Sequence, residues 1–237
     1  MKLKSYIKKL YQMILDLIFP KICQCCGEVG SYICDSCIEK KFKYTLKQKC
    51  HVCKKAVNKG MIHDKCKAES FLDGVFIIAK YDKFIENYIA DIKYEFYYAM
   101  IQDLVKVMNK YLERNKKFKK IIAQSDVTYV PLHFWRKRWR GFNQAERIAS
   151  GIAEEWGSKC KRLLKRKRNT KCQVGLKKKE RLNNLKDAFE CKYSGNVKRS
   201  VVIIDDVMTT GSTLEECGKA LKDADIEKVY GLVAARG

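Results

Sequence analysis

The segment "VVIIDDVMTTGSTL", residues 201–214, constrains the fold more than any other part of the chain. Four apolar and mostly β-branched residues lead directly into two adjacent carboxylates, Asp205 and Asp206. A strand this apolar is buried on both faces, which is typical of a central strand in a parallel sheet. Ligands of open α/β sheets bind at the carboxyl ends of such strands, so the two acids are predicted to lie at a binding site.

The turn after the acids is rich in hydroxyl groups and enters a helix; it consists of Val207, Met208, Thr209, Thr210, Gly211, Ser212 and Thr213. A glycine lets the backbone approach a ligand closely, and the N-terminus of a helix favours an anion. Adjacent carboxylates accept hydrogen bonds from paired ribose hydroxyls or hold a divalent cation. Together they predict a site for a sugar 5-phosphate. The alternative is structural, with the acids shaping the turn and Thr213 capping the helix. A P-loop is excluded because no lysine follows the turn.

The chain from residue 69 onward alternates predicted strands and helices. The strands are "FLDGVFIIAKYD", "DVTYVPL", "VVIIDD" and "KVYGLVAAR", and the helices span 84–111, 144–156 and 212–223. Such alternation predicts an α/β fold with a doubly wound, mainly parallel sheet. We expect an amphipathic helix over 1–20, a double zinc-ribbon module over 21–68 and the sheet domain over 69–237.

Eight cysteine and histidine residues form four pairs, each with two residues between its members: Cys23 and Cys26, Cys34 and Cys37, Cys50 and Cys53, and His63 and Cys66. Two such pairs make a tetrahedral zinc site, so the spacing predicts two structural zinc ions held by adjacent pairs. An interleaved pairing is an alternative, as are free or redox-active thiols. Cys25 and His51 lie inside their pairs and are not needed as ligands.

The first twenty residues place apolar side chains at spacings of three and four, namely Leu3, Ile7, Leu10, Ile14, Leu17 and Ile18. The pattern predicts an amphipathic helix ending near Pro20. It packs on its own protein or, alternatively, lies on a partner or an anionic membrane surface. The sequence has no evident secretory signal and no apolar run of membrane-spanning length. We therefore expect a cytoplasmic protein with thiols reduced or bound to metal.

The formal net charge is +23, which points to polyanionic partners such as nucleic acid. The segment "HFWRKRWRGFNQ" interleaves aromatic rings with cations, a combination that suits unpaired bases and a phosphate backbone. The candidate residues for single-stranded DNA are Trp135, Arg136, Arg138 and Trp139, together with Arg168 and Arg181 of the basic segment 161–181. In the alternative, the rings are core residues, the arginines bind pyrophosphate, and the basic segment is a flap or a solvated loop.

The segment 201–214 resembles the phosphoribosyl-pyrophosphate (PRPP) loop of type I phosphoribosyltransferases. With "VPLHFWRKRWRGFNQAERIA", "RNTKCQVGLKKKERLNNLKDAF" and the cysteine pairs, nearly the whole chain resembles the ComF (ComFC) competence family. The resemblance implies a type I phosphoribosyltransferase fold preceded by a small zinc-ribbon domain. It implies that Asp205 and Asp206 hold ribose hydroxyls, that 209–213 hold the 5-phosphate, and that Pro131 and Leu132 form the pyrophosphate loop. Arg140 is a candidate pyrophosphate ligand, and magnesium would accompany PRPP.

Three functions are compatible with these features. The first is a PRPP-binding protein that binds single-stranded DNA during natural transformation, as the resemblance implies. The second is a genuine phosphoribosyltransferase acting on a base or amine, although no general base for such a reaction is identified. The third is a zinc-ribbon scaffold with a vestigial ligand site. The first also implies contacts with DNA-uptake proteins, and the N-terminal helix leaves open a position at the inner face of the cell membrane.

Overall fold

The computed structural model describes residue 13 and residues 17–41, 48–57, 60–94, 98–168, 185–192 and 197–237. The chain divides into two compact units, Met1–Phe42 and Lys43–Gly237. The first two cysteine pairs therefore lie in the smaller unit, and the other two lie in the larger unit with the sheet. The domain limits expected from the sequence stay a prediction. Most of the predicted helix over 1–20 lies outside the described residues.

The smaller unit contains a short hairpin-like turn and helix α1, Asp35–Lys41. An antiparallel bridge between Ile22 and Val29 closes the turn. Helix α1 begins directly after Cys34, and Ile33 and Ile38 are almost fully buried. Cys23 and Cys37 are buried as well, so two thiols and two isoleucine side chains are the most buried groups of the described part of this unit.

The larger unit is built on a four-stranded sheet in the order β1-β6-β5-β2. The strands of the unit, numbered along the chain, are β1 Gly74–Lys80, β2 Asp126–Tyr129, β3 Leu164–Arg166, β4 Phe189–Cys191, β5 Ser200–Met208 and β6 Lys228–Arg236. All three neighbouring pairs of the main sheet are parallel. Residues 201–204 of β5 are fully buried in its centre. The predicted mainly parallel α/β sheet is thus confirmed, with the four predicted strands as its members.

The described part of this unit has six α-helices, interleaved with the strands: α2 Lys83–Tyr94, α3 Tyr98–Arg114, α4 Lys116–Gln124, α5 Phe134–Arg140, α6 Gln144–Glu155 and α7 Ser212–Lys222. The helix predicted over 84–111 is divided between α2 and α3. The sequence analysis did not predict α4 or α5. Helix α4 is short, but the Asn115 side chain caps it by accepting a hydrogen bond from the amide of Phe118. Phe118 and Ile122, four residues apart, bury its apolar face.

The basic segment 161–181 begins with a strand. β3 pairs with β4 in a second, two-stranded antiparallel sheet, and Arg166 lies 5.4 Å from the centre of the Phe189 ring. Residues 169–184 lie outside the described residues, so the predicted flap is not described. Within the described part of the chain, no helix is both long and apolar enough to cross a membrane.

The second cysteine-rich segment is bonded to the edge of the main sheet. The Gln48 side chain accepts a hydrogen bond from the amide of Ile77 and donates one to its carbonyl, so it completes the exposed edge of β1. Gly74 forms a bridge with Met61. A Cβ atom on Gly74 would lie 2.7 Å from the carbonyl oxygen of Gly60, so this close approach requires glycine. The second segment is therefore bonded into the same compact unit as the sheet, with a small apolar cluster of its own around Cys50, Ile62 and Cys66.

Candidate functional site

The two acids lie at the carboxyl end of β5, beside the end of β2. Tyr129 is paired with Ile204, and the amide of Val130 donates to the carbonyl of Ile204. Pro131 and Leu132 follow Val130 in the chain, after the end of β2. The two acids and the predicted pyrophosphate loop thus lie at the carboxyl ends of neighbouring parallel strands, where ligands of such sheets bind.

Lys93, at the end of α2, forms an ion pair with the acids. Its Nζ atom is 2.7 Å from Oδ2 of Asp206. Burial acts to raise the pKa of Asp206, but the ammonium group of Lys93 and the amide of Val207 lower it below its usual value. Burial and the neighbouring charge of Asp206 raise the pKa of Asp205 well above its usual value. The pair can therefore offer one neutral and one ionised carboxyl group, a donor beside an acceptor.

The sequence analysis missed Lys93, because a lysine near the end of an amphipathic helix carries no distinguishing signal. Burial acts to lower the pKa of Lys93, but the charges of Asp206 and Asp205 raise it above its usual value. The positive charge of Arg140 acts on the same ammonium group in the opposite direction. Arg140, predicted from the sequence, is therefore close enough to add a second cation to this site.

The hydroxyl-rich turn enters α7 as predicted. Gly211 precedes the helix with a φ of +89°, a left-handed conformation that favours glycine. The hydroxyl groups of Thr210 and Ser212 are 2.8 Å apart, and the amide of Ser212 donates to the Thr210 oxygen. The amide of Gly237, at the end of β6, donates to the carbonyl of Met208. Amide and hydroxyl donors thus surround the start of a helix, where an anion is favoured.

The predicted nucleic-acid residues lie mainly on α5. Phe134, Trp135 and Trp139 each expose more than 60% of their surface, so the core interpretation is wrong for these rings. Arg138 is exposed on the same helix. Arg168 is exposed elsewhere, and its guanidinium group donates to the carbonyl of Lys186. The side chain of Arg136, and all of Arg181, lie outside what the structure describes.

The eight predicted metal ligands form two groups, which are Cys23, Cys26, Cys34 and Cys37 in the first and Cys50, Cys53, His63 and Cys66 in the second. Within each group the ligand atoms all lie within 4.8 Å of one another. The groups match adjacent pairing rather than the interleaved alternative. Cys26 Sγ is 3.6 Å from Cys34 Sγ, near the spacing of about 3.8 Å that tetrahedral zinc–thiolate bonds require. Each group can therefore hold one zinc ion.

The second group also has an outer hydrogen bond typical of zinc sites. Nε2 of His63 lies 3.1 Å from the carbonyl oxygen of Ala56, so this nitrogen carries the proton. Nδ1, 3.3 Å from Cys53 Sγ, is left as the ligand atom. In both groups burial acts to raise the pKa of the first cysteine, but backbone amides lower it to about 6 for Cys23 and Cys50. The first cysteine of each group thus favours the thiolate form that binds metal, whereas burial raises the pKa of Cys37 and raises that of Cys66 to about 11.

His51 lies between two ligands of the second group and bonds outward to α7. Its Nε2 atom is 2.7 Å from Oε1 of Glu215 and 2.9 Å from Oγ of Ser70. Glu215 also accepts hydrogen bonds from the hydroxyl of Ser70 and the amide of Phe71. His51 lies outside the second ligand group, and no pattern in the sequence indicates this bond. It joins the second metal group to the helix that begins at the hydroxyl-rich turn.

No family model matches the chain, but named proteins do. Competence protein F of Haemophilus influenzae is 31% identical over 175 residues, which cover 71% of this chain and 76% of that protein. Competence protein ComFC of Streptococcus pneumoniae is 25% identical over 66% of each chain. The DNA utilization protein YhgH of Escherichia coli K12 is 38% identical over 103 residues, 42% of its length. With an alignment of this length and identity to competence protein F, the chain belongs to the ComF (ComFC) competence family.

Proposed function

We propose that this chain is a PRPP-binding protein of the type I phosphoribosyltransferase fold that acts in DNA uptake by binding single-stranded DNA. The observation that carries the proposal is the arrangement at the end of β5. There a pair of partly buried acids with opposite pKa shifts lies directly before a hydroxyl-rich turn at a helix N-terminus. The relatives named for competence and DNA utilization support the role in DNA uptake.

In this proposal the ribose hydroxyls bind between Asp205 and Asp206, and the 5-phosphate binds to the amides and hydroxyls of 209–213. The pyrophosphate, with its magnesium ion, lies over Pro131 and Leu132, where Lys93 and Arg140 offset its charge. A ribose hydroxyl competes with Lys93 for Asp206, because both need the same carboxylate. Lys93 would then be released toward the pyrophosphate. The two metal groups hold structural zinc.

Calorimetric titration with PRPP and with ribose 5-phosphate tests the ligand. Asp205→Asn with Asp206→Asn replaces one ionised partner, worth about 1.5–3 kcal/mol, and one neutral partner, worth about 0.5–1.5 kcal/mol, so the affinity should fall about thirtyfold or more. Asp223→Asn with Asp225→Asn, two exposed acids beyond the end of α7, is the matched control and should bind normally. Unchanged affinity in the first variant would show that the acids only shape the turn.

The first variant also leaves Lys93 without the carboxylate of its ion pair. We therefore compare the thermal unfolding of this variant with that of a companion variant that also carries Lys93→Met. Removing both members of an ion pair costs less than leaving one buried charge unpaired. We expect the companion to unfold at a higher temperature than the two-acid variant, and its ligand affinity to remain as low.

Binding of single-stranded DNA is expected to use the exposed face of α5. Trp139→Ala should weaken binding by about 1–3 kcal/mol if the ring stacks on a base, without changing the salt dependence. Because the ring is 63% exposed, the same variant should change the free energy of unfolding by less than about 0.5 kcal/mol. Fluorescence anisotropy with a labelled oligonucleotide measures the first quantity and thermal unfolding the second. A misfolded variant would place Trp139 in the core instead.

The alternative, a genuine phosphoribosyltransferase, uses the same site and differs in turnover. Pyrophosphate release from PRPP, measured against a panel of bases and amines, separates the two. Release that depends on the added acceptor, and that disappears with Asp205→Asn and Asp206→Asn, would establish the enzyme. Tight PRPP binding without release would support a ligand or regulator.

A further inference from the structure

A second cleft opens at the same edge of the sheet. Its volume is about 450 Å³, within the range of about 300–1,000 Å³ of small-molecule sites. It is lined by Lys49, Lys54, Ile77, Ala79, Lys80, Arg236 and Gly237. Four of these side chains are cations and none is acidic. Ile77 and Ala79 are buried and apolar, so the cleft combines an apolar wall with a cationic rim.

Three cations of this cleft, Lys49, Lys80 and Arg236, have no acidic partner among the described residues. Among the described residues, no carboxylate lies within ion-pair distance of Lys49, Lys80 or Arg236, although twelve other ion pairs are formed. Arg236 is partly buried at the carboxyl end of β6. Holding a guanidinium group partly away from water costs free energy unless an anion compensates. The cleft is therefore complementary to an anionic ligand.

The position of the cleft relates it to the hydroxyl-rich turn. Its walls are the carboxyl ends of β1 and β6, and β6 lies between β1 and β5. Neighbouring strands are about 4.8 Å apart, so β1 and β5 are separated by about 10 Å. Gly237 lines the cleft, and its amide donates to the carbonyl of Met208, one residue before Thr209. The cleft and the proposed PRPP site thus share an edge of the sheet.

We propose that this cleft holds one nucleotide unit of single-stranded DNA, with its phosphate on Lys49, Lys80 and Arg236 and its sugar or base against Ile77 and Ala79. An anion with an apolar part satisfies both walls, which inorganic phosphate alone would not. The proposal rests on the DNA binding proposed above and assigns it a position. Lys54 is already engaged, since its Nζ atom donates to the carbonyl of His51.

The test is the salt dependence of binding to a labelled oligo-dT of about twelve nucleotides, measured by anisotropy with the full chain. Each phosphate neutralised on a single strand contributes about −0.7 to the slope of log K against log salt. Lys49→Gln with Lys80→Gln should make the slope less steep by about 1.4 and weaken binding about tenfold at low salt. Lys116→Gln with Lys120→Gln, exposed on α4 at the amino end of β2, removes the same charge and should change the slope by less than half as much.

Deoxythymidine monophosphate gives a second measurement. The monophosphate should displace the oligonucleotide from the wild-type protein, and it should do so more weakly from the Lys49→Gln and Lys80→Gln variant. Thymidine, which has no phosphate, should displace the oligonucleotide from neither protein. If the wild type binds the oligonucleotide but the Lys49 and Lys80 variant gives the same slope as the Lys116 and Lys120 variant, the assignment of DNA to this cleft is overturned. That result would leave the proposed DNA binding in place. If the wild type binds no oligonucleotide, both fall, and the PRPP titration decides separately on the ligand site.

Discussion

The two metal groups share one local design. In each, an antiparallel bridge encloses the first cysteine pair, between Ile22 and Val29 in the first group and between Lys49 and Ala56 in the second. The amide four residues after the first cysteine donates to that cysteine's carbonyl, from Gly27 in one group and Lys54 in the other. Both residues have positive φ angles. The same spacing of cysteines has therefore given the same turn twice.

The groups differ in what surrounds them. The first lies in the unit Met1–Phe42, with α1 as its described helix, and the second lies in the unit that contains the sheet. In the second, Gln48 completes β1 and His51 bonds to Glu215 of α7. A repeated metal motif thus need not mark a repeated domain. One copy lies in a separate compact unit, and the other lies in the unit that contains the sheet.

The largest expected effect compares the loss of each group. Cys50→Ser with Cys66→Ser should destabilise the larger unit by several kcal/mol or prevent its folding, because metal binding there contributes to its folding free energy. Cys23→Ser with Cys26→Ser should change the stability of that unit by less than about 0.5 kcal/mol. Both variants lose two thiols, so each controls for the other. Thermal unfolding and zinc content, expected to fall from about two ions to about one, are the measurements.

Two outcomes would break this comparison. Equal destabilisation of the larger unit by both variants would mean that the smaller unit also supports the sheet. A larger unit that unfolds normally without Cys50 and Cys66 would mean that the second group is attached to the sheet but not integral to it. A folded, reduced wild type without zinc would remove the basis for both expectations.

Much of this architecture is predictable from the sequence. The four apolar strands, the turn at Gly211 and the grouping of the eight metal ligands depend on short patterns whose physical causes are local. Residues 201–204 can be read as a buried strand because all four are apolar and mostly β-branched. The two-residue spacing of the cysteines specifies the turn without help from the rest of the fold.

The rest depends on contacts between distant segments. Lys93 reaches Asp206 across 113 residues of chain, and no local pattern distinguishes it from Lys83, the other lysine of α2. Glu215 resembles any acid in the first turn of a helix, where the dipole favours it. Only the fold shows that it meets His51. Helix α5 was missed because the arginines and tryptophans of "FWRKRWR" suggested binding rather than secondary structure.

The next effect in size concerns the bond between His51 and Glu215, which only the second group has. Glu215→Gln weakens an acceptor of three hydrogen bonds, so the larger unit should lose about 1–3 kcal/mol of stability. Zinc should leave the second group about five- to a hundredfold faster. A chromogenic chelator measures this release in a Cys23→Ser and Cys26→Ser background, where only the second group contributes.

Glu216→Gln is the matched control for this bond. Glu216 is the next residue of α7, and its carboxylate accepts a hydrogen bond from the amide of Asp187 instead. Its replacement should change zinc release by less than about twofold. If both variants release zinc at the wild-type rate, the bond to α7 does not support the second group, and the two groups differ only in their neighbours.

The smallest expected effect tests the shared turn itself. Gly27 and Lys54 occupy the same position with φ angles of 78° and 63°, and this conformation costs a side chain about 1 kcal/mol. Lys54→Gly should therefore be more stable than Lys54→Ala by about that amount, since both lose the Lys54 ammonium group and only alanine keeps the strain. Gly27→Ala should destabilise the first group equally, because a Cβ atom there meets nothing within 4 Å and only the backbone strain remains.

The rate of zinc release measures these changes. The two groups should release zinc in two phases, and the phase that is absent from the Cys23→Ser and Cys26→Ser variant belongs to the first group. Each change should alter the rate of its own phase about fivefold. A large effect of Gly27→Ala with no difference between the two Lys54 variants would show that the turns are alike in shape but not in energy, with the sheet holding the second one in place.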